Sequence, residues 1–168
     1  LDILKKIIDF FDVDEERSLP GNGGKSDEQL RTEFEQKGKL FEKYVIQHFD
    51  TKNYFSVVDW TRDICDDGIC PESNCNPDVI MRYRKTGDKI ALECKYRSRY
   101  YYSKEHHTQT IRWARPDQIK NYLRYQEENS VPVYVIIGVG NDILRGESPS
   151  DMYCVPLNDI RNYPEVFY

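Results

Sequence analysis

Between Val131 and Val139 the chain reads Val-Pro-Val-Tyr-Val-Ile-Ile-Gly-Val, an almost unbroken apolar run rich in β-branched residues. Such a run is the mark of a strand covered on both faces. A sheet with a strand of that kind needs layers above and below it, which points to an α/β architecture. Two further short strands are predicted upstream within the stretch Asn76–Lys95, joined by a turn at Thr86-Gly87-Asp88 in which Gly87 supplies positive φ. Along the second of these, Ile90, Leu92, Cys94 and Tyr96 share one face and Ala91, Glu93 and Lys95 the other. The first face is a core face. The second sets a carboxylate beside an ammonium. Tyr54–Trp60 is predicted as the first core strand and Met152–Leu157 as the last, before a short turn or helix and tail.

Two helices complete the pattern. Ser26 caps the first and Gln29 completes a capping box, so a helix is expected to about Phe49. Its apolar arc is Leu30, Phe34, Phe41, Val45 and Phe49, and its solvated face is Glu35, Lys39, Lys43 and Gln47. Glu42 falls on the edge of the apolar arc, where a carboxylate is costly without a partner. Gly38, one turn earlier, allows a close backbone approach. The second helix begins at Pro116 and reaches about Glu128, burying Ile119, Tyr122 and Leu123; Gln118 and Tyr122, four apart, share a face. Residues 1–13 are predicted as an amphipathic helix, residues 14–25 as a flexible connector, and residues 26–168 as one domain.

The net charge of −5 does not advertise a polyanionic partner, but the charge is unevenly spread. From Lys95 to Arg124 there are eight basic residues against only Glu105 and Asp117, a balance of +6, interleaved with Tyr100, Tyr101, Tyr102, His106, His107 and Trp113. Lysine and arginine neutralise phosphates and aromatic rings stack on unpaired bases, so this block is read as a nucleic-acid groove, with Arg97, Arg99, Lys104, Arg112 and Arg115 as backbone contacts. No run has the length of a membrane span, and no secretory signal pattern opens the chain. Five cysteines without such a signal favour a reducing, intracellular setting. Cys65, Cys70 and Cys75 are evenly spaced in an acidic loop, with neither the spacing nor the fourth ligand of a usual zinc site.

The chemistry centres on the predicted hairpin. Asp78 follows Pro77 at the strand entrance, where a proline costs no ladder hydrogen bond, so Asp78, Glu93 and Lys95 can converge where the strands meet. Two acids and a lysine suit metal-assisted phosphodiester hydrolysis. Hard divalent ions take carboxylate oxygens, a bound ion polarises the phosphoryl oxygen, and a lysine stabilises the charge that builds on the phosphate. Glu42 is read as a third acid delivered to this cluster.

Pro77-Asp78, fourteen residues, and then Glu93-Cys94-Lys95 resemble the PD-(D/E)xK nuclease superfamily. Glu42 in its Gly-x-x-x-Glu setting matches the helix that precedes the core sheet in many members. Gln118 and Tyr122 resemble the Gln-x-x-x-Tyr element of the RecB-like branch. The resemblance implies a restriction-endonuclease-like fold in αβββαβ order from about residue 26 to 157, with a mixed sheet flanked by helices. It implies Mg²⁺ or Mn²⁺ held by Glu42, Asp78, Glu93 and the Cys94 carbonyl. It implies Lys95 acting on the attacking water, Gln118 supporting Lys95 or the phosphate, and Tyr122 near the DNA. The expected activity is a metal-dependent nuclease acting on nucleic acid, with DNA foremost and with a homodimer or an upstream domain as possible further partners. A non-catalytic nucleic-acid-binding module on the same fold and a cysteine-loop zinc-binding interaction domain are the alternatives.

Overall fold

Ser26 opens the first helix as expected: its hydroxyl accepts the Gln29 N–H while the Gln29 side chain accepts the Ser26 N–H. That helix, α1, spans Asp27–His48. In this computed structural model the described residues are 26–60, 76–104 and 107–167; the expected helix at 1–13, the connector at 14–25 and the cysteine loop lie outside them. Three strands follow, β1 (Phe55–Trp60), β2 (Val79–Tyr83) and β3 (Lys89–Arg97), with Gly87 at φ +81° in the β2–β3 turn. Then come β4 (Tyr101–Ser103), β5 (Thr108–Arg112), α2 (Pro116–Asn129) and β6 (Val133–Val139). A 3₁₀ turn at Ile143–Arg145, β7 (Asp151–Pro156), the single-turn α3 (Leu157–Ile160) and β8 (Glu165–Phe167) close the described residues.

The main sheet has the order β1-β2-β3-β6-β7. It is antiparallel throughout except where β3 runs parallel to β6, from Ala91 opposite Val133 to Arg97 opposite Val139. Every residue of β6 is buried, as its apolar run requires. One face of the sheet packs Ile90, Leu92, Cys94 and Tyr96 with Phe41 and Val45 of α1 and with Phe49 at its C-cap. The other packs Ala91, Val133, Val135 and Ile137 with Ile119 and Tyr122 of α2 and with Ile111 and Trp113. The expected helix, three strands, helix, strand, strand order is therefore present, as a mixed sheet between helical layers.

Two expectations need correction. Phe34 is 63% exposed, and among the described residues it does not join the core, which α1 enters from Phe41. The apolar arc thus works only from Phe41 onward. The basic block, for which the sequence predicts no strand of its own, contains β4 and β5, and β5 also pairs with β8 in a second sheet of order β4-β5-β8. Their runs are too short and too polar to carry a strand signal, and one partner comes from the far end of the chain. This sheet is tied down by Trp113, which is fully buried and donates its indole N–H to the Tyr163 carbonyl at 2.7 Å.

Phe41 of α1 packs directly over Gly138 of β6. A Cβ there would stand 2.7 Å from Phe41 Cζ and closer still to Cε2. Gly138→Ala should destabilise the fold by roughly 1–3 kcal/mol through overpacking. Thermal unfolding measures it, and adding Phe41→Leu to the same chain should recover part of the loss.

Candidate active site

Alternation along β3 turns Glu93 and Lys95 toward α2 and Cys94 toward α1. Glu93 is 1% exposed, an extreme position for a carboxylate. It is held there by two donors from different directions. The Tyr122 hydroxyl, reaching down from α2, donates to Glu93 Oε1 at 2.6 Å, and the Lys95 ammonium forms an ion pair with the same oxygen. Lys95 also donates to the Tyr122 hydroxyl at 3.4 Å and lies 5.8 Å from the centre of its ring. Glu93 Oε2, equally buried, accepts no hydrogen bond. A buried carboxylate oxygen in that condition is costly and marks a place where a cation or donor is wanted.

Asp78 is placed by the end of a strand pair. The β2–β3 ladder stops at Val79 opposite Leu92. Beyond it, the Cys94 N–H that would seek a β2 carbonyl donates instead to Asp78 Oδ2, at 2.7 Å. In a strand a residue's N–H and C=O point to the same flank. The Cys94 carbonyl thus faces the flank that Asp78 occupies, past the last paired β2 residue. From the other face of the sheet, Glu42 on α1 is half-buried and accepts the Trp60 indole N–H at its Oε2, at 2.7 Å.

The electrostatics follow from this crowding. Burial first, then the charge of Glu93, push the Asp78 carboxyl well above the aspartate range; Glu42 adds to the rise, while Lys95 and the Cys94 N–H oppose it. Burial pulls the Lys95 ammonium down, but the charges of Glu93 and Asp78 outweigh burial and leave it raised, so Lys95 is a cation at neutral pH. Burial, reinforced by Asp78 and Glu93, pushes the Cys94 thiol up, in keeping with a core side chain and not a nucleophile.

The donor set suits a hard divalent ion. Asp78, Glu93 and the Cys94 carbonyl supply oxygen, Glu93 Oε2 is unpartnered, and a dication would relieve the mutual repulsion of the acids. Among the described residues, however, no three Asp, Glu, His or Cys side chains stand together at ligating spacing. Glu42 and Glu93 enter from opposite faces of the sheet, with Asp78 at the strand end between them.

The remaining expected residues divide. Tyr122 reaches Glu93 and Lys95. Gln118 sits on the same helix, but its Oε1 accepts the Arg115 N–H at 3.1 Å and so caps the start of α2. The Arg97 guanidinium is spent on the fold, donating to the carbonyls of Tyr96, Arg112 and Trp113 at 2.8–3.0 Å. Arg115 is exposed and paired with Asp117. Arg99, Lys104 and Arg112 are exposed, as are Tyr101 and Tyr102. Trp60 is the site residue that sequence reasoning missed. Its only signal was its place at the end of a predicted strand.

No protein-family model and no curated protein matches the sequence. Among solved structures the chain is similar to Archaeoglobus fulgidus Hjc, a Holliday junction resolvase from an archaeal hyperthermophile. The identity is 14% and the TM-score 0.43, over 72% of this chain and 78% of that one.

Two outcomes are expected from this geometry. The native Asp78 holds its proton to higher pH than the unfolded chain does. Its contribution to stability is therefore full below the ordinary aspartate pKa of about 3.9 and is lost as pH rises through the raised native value. Asp78→Asn in EDTA should melt near the wild type at pH 4.5 and above it at pH 8; equal melting at pH 8 would refute the shift. Tyr122→Phe removes one donor from a buried carboxylate and should cost about 1–3 kcal/mol in urea unfolding.

Proposed function

We propose that this chain is a divalent-metal-dependent nuclease that hydrolyses phosphodiester bonds, with DNA as its substrate class. The observation that carries the reading is Glu93: a buried carboxylate with one oxygen fixed by Tyr122 and Lys95 and the other unpartnered, next to Asp78 at the open end of a strand pair. Structural ion pairs have no use for the unpartnered oxygen. A ligand set does.

Asp78, Glu93 and the Cys94 carbonyl would hold the ion, with Glu42 contributing from the α1 side. Bound there, Mg²⁺ or Mn²⁺ would polarise the scissile phosphate and lower the pKa of a water. The chain's own residues do the rest. Lys95, kept protonated by Glu93 and Asp78, acts as a fixed cation that orients the attacking water and stabilises charge growing on the phosphate. Tyr122 keeps Glu93 in its rotamer, so the ligating oxygen does not swing when the ion leaves. Gln118 acts indirectly, by starting the helix that carries Tyr122. The exposed Arg99, Lys104 and Arg112, with Tyr101 and Tyr102, form the rim that grips the strand. They concentrate positive charge where an acidic protein would otherwise repel a polyanion. Arg97 supports that rim by fastening the second sheet to β3.

The test is cleavage of supercoiled plasmid, linear duplex and single-stranded DNA with Mg²⁺, Mn²⁺ or EDTA. Metal-dependent cutting is expected, with Asp78→Ala losing it by at least ~1000-fold, about 4 kcal/mol of barrier, while DNA binding is largely retained. Cutting that survives in Asp78→Ala sinks the assignment. Binding without cutting by the wild type would make the chain a non-catalytic binding module.

A further inference from the structure

The strand β1 carries an irregularity that the nuclease reading does not use. From Phe55 opposite Tyr83 to Val57 opposite Met81 its pairing with β2 is regular; it then shifts, with Asp59 opposite Ile80 and Trp60 opposite Val79. Val58 is the extra residue, a β-bulge. Side chains alternate strictly along a strand, so one inserted residue exchanges the faces of everything after it. Without the bulge, Asp59 would share the face of Phe55 and Val57. With it, Trp60 does, and Trp60 packs on the α1 side with Phe55, Val79 and Met81. There its indole N–H meets Glu42 Oε2 at 2.7 Å. The same register sets Trp60 beside Val79, the residue after Asp78.

We infer that Trp60 is a positioning residue for the metal site: the bulge at Val58 turns its indole onto Glu42 and holds that carboxylate level with Asp78. Glu42 lies on a long helix at the edge of the buried arc, where a glutamate otherwise extends into water. The hydrogen bond from the Trp60 indole, a half-buried ring packed against the core cluster, directs Glu42 Oε2 inward. Its charge is felt at Asp78, which fits this placement. A partner that orients a ligating carboxylate in this way characteristically changes metal affinity by ~10–100-fold when removed.

The inference rests on the metal-site reading above, and its test separates the two. Mn²⁺ is titrated calorimetrically into the wild type, Trp60→Phe and Trp60→His, with melting in EDTA checking that each is folded. Trp60→Phe should bind Mn²⁺ at least tenfold more weakly, and Trp60→His, which restores a ring N–H, should recover part of the loss. In the wild type, bound Mn²⁺ should quench tryptophan emission. Glu42→Gln, which leaves Trp113 and the Glu93 side of the site unaltered, should reduce the quenching. Equal Mn²⁺ affinity in wild type and Trp60→Phe overturns the role of Trp60 and leaves the nuclease reading standing. If Trp60→Phe does not fold, Mn²⁺ bound without quenching in the wild type overturns it instead. No Mn²⁺ binding by the wild type overturns both.

Discussion

A glutamate and a lysine two residues apart on an interior strand, both turned into the protein, set the terms for everything around them. Burying such a pair is seldom favourable in itself; apolar residues of the same size would often serve stability as well or better. Once present, it binds the neighbouring elements to strict geometry, since losing one partner leaves a stranded charge that costs about 3–5 kcal/mol. The helix α2 has to bring Tyr122 to Glu93 Oε1, and β6 has to run parallel beside β3 so that Val135 and Ile137 flank the acid and the lysine with hydrocarbon. The strand β2 has to stop at Val79 so that Asp78 can take the next hydrogen bond itself.

The two faces of the sheet divide this labour. The α1 side is mostly hydrocarbon and contributes the Cys94 side chain, Trp60 and the edge carboxylate of Glu42. The α2 side holds the ion pair and opens toward the second sheet, where exposed cations and tyrosines collect. Among the described acids Glu93 alone is fully buried, and it is buried together with the Lys95 that neutralises it, while Arg99, Lys104 and Arg112 stay at the surface.

Much of this was legible in the sequence because the signals were local. The capping box at Ser26 and Gln29, the Gly87 turn, the alternation through Glu93 and Lys95 and the apolar run of β6 each depend on residues within one element. What was not legible depends on partners distant in the chain. β4 and β5 have no hydrophobic period of their own and exist by pairing with each other and with β8. Arg97 looked like a phosphate contact, yet its fork closes on carbonyls sixteen or fewer residues away that only the folded hairpin brings near. Gln118 shares a helix face with Tyr122 as expected, but the local demand of an uncapped helix start claims its oxygen. Trp60 was obscured by a single-residue bulge, which strand-period reasoning cannot see from one strand alone.

The parallel pairing of β3 with β6 has a consequence for how the site comes into being. Antiparallel β2 and β3 are joined by a tight turn and can zip together locally, whereas β6 reaches β3 only after the chain from 98 to 132 has made its crossover. Contacts of such sequence separation are late and slow to form. During synthesis Glu93 and Lys95 therefore emerge and stand in water, fully hydrated, until Tyr122 and then β6 arrive to cover them. The chain therefore acquires its most demanding electrostatic feature after the hairpin that carries it, and a molecule that opens locally along the β3–β6 seam loses the site before it loses that hairpin.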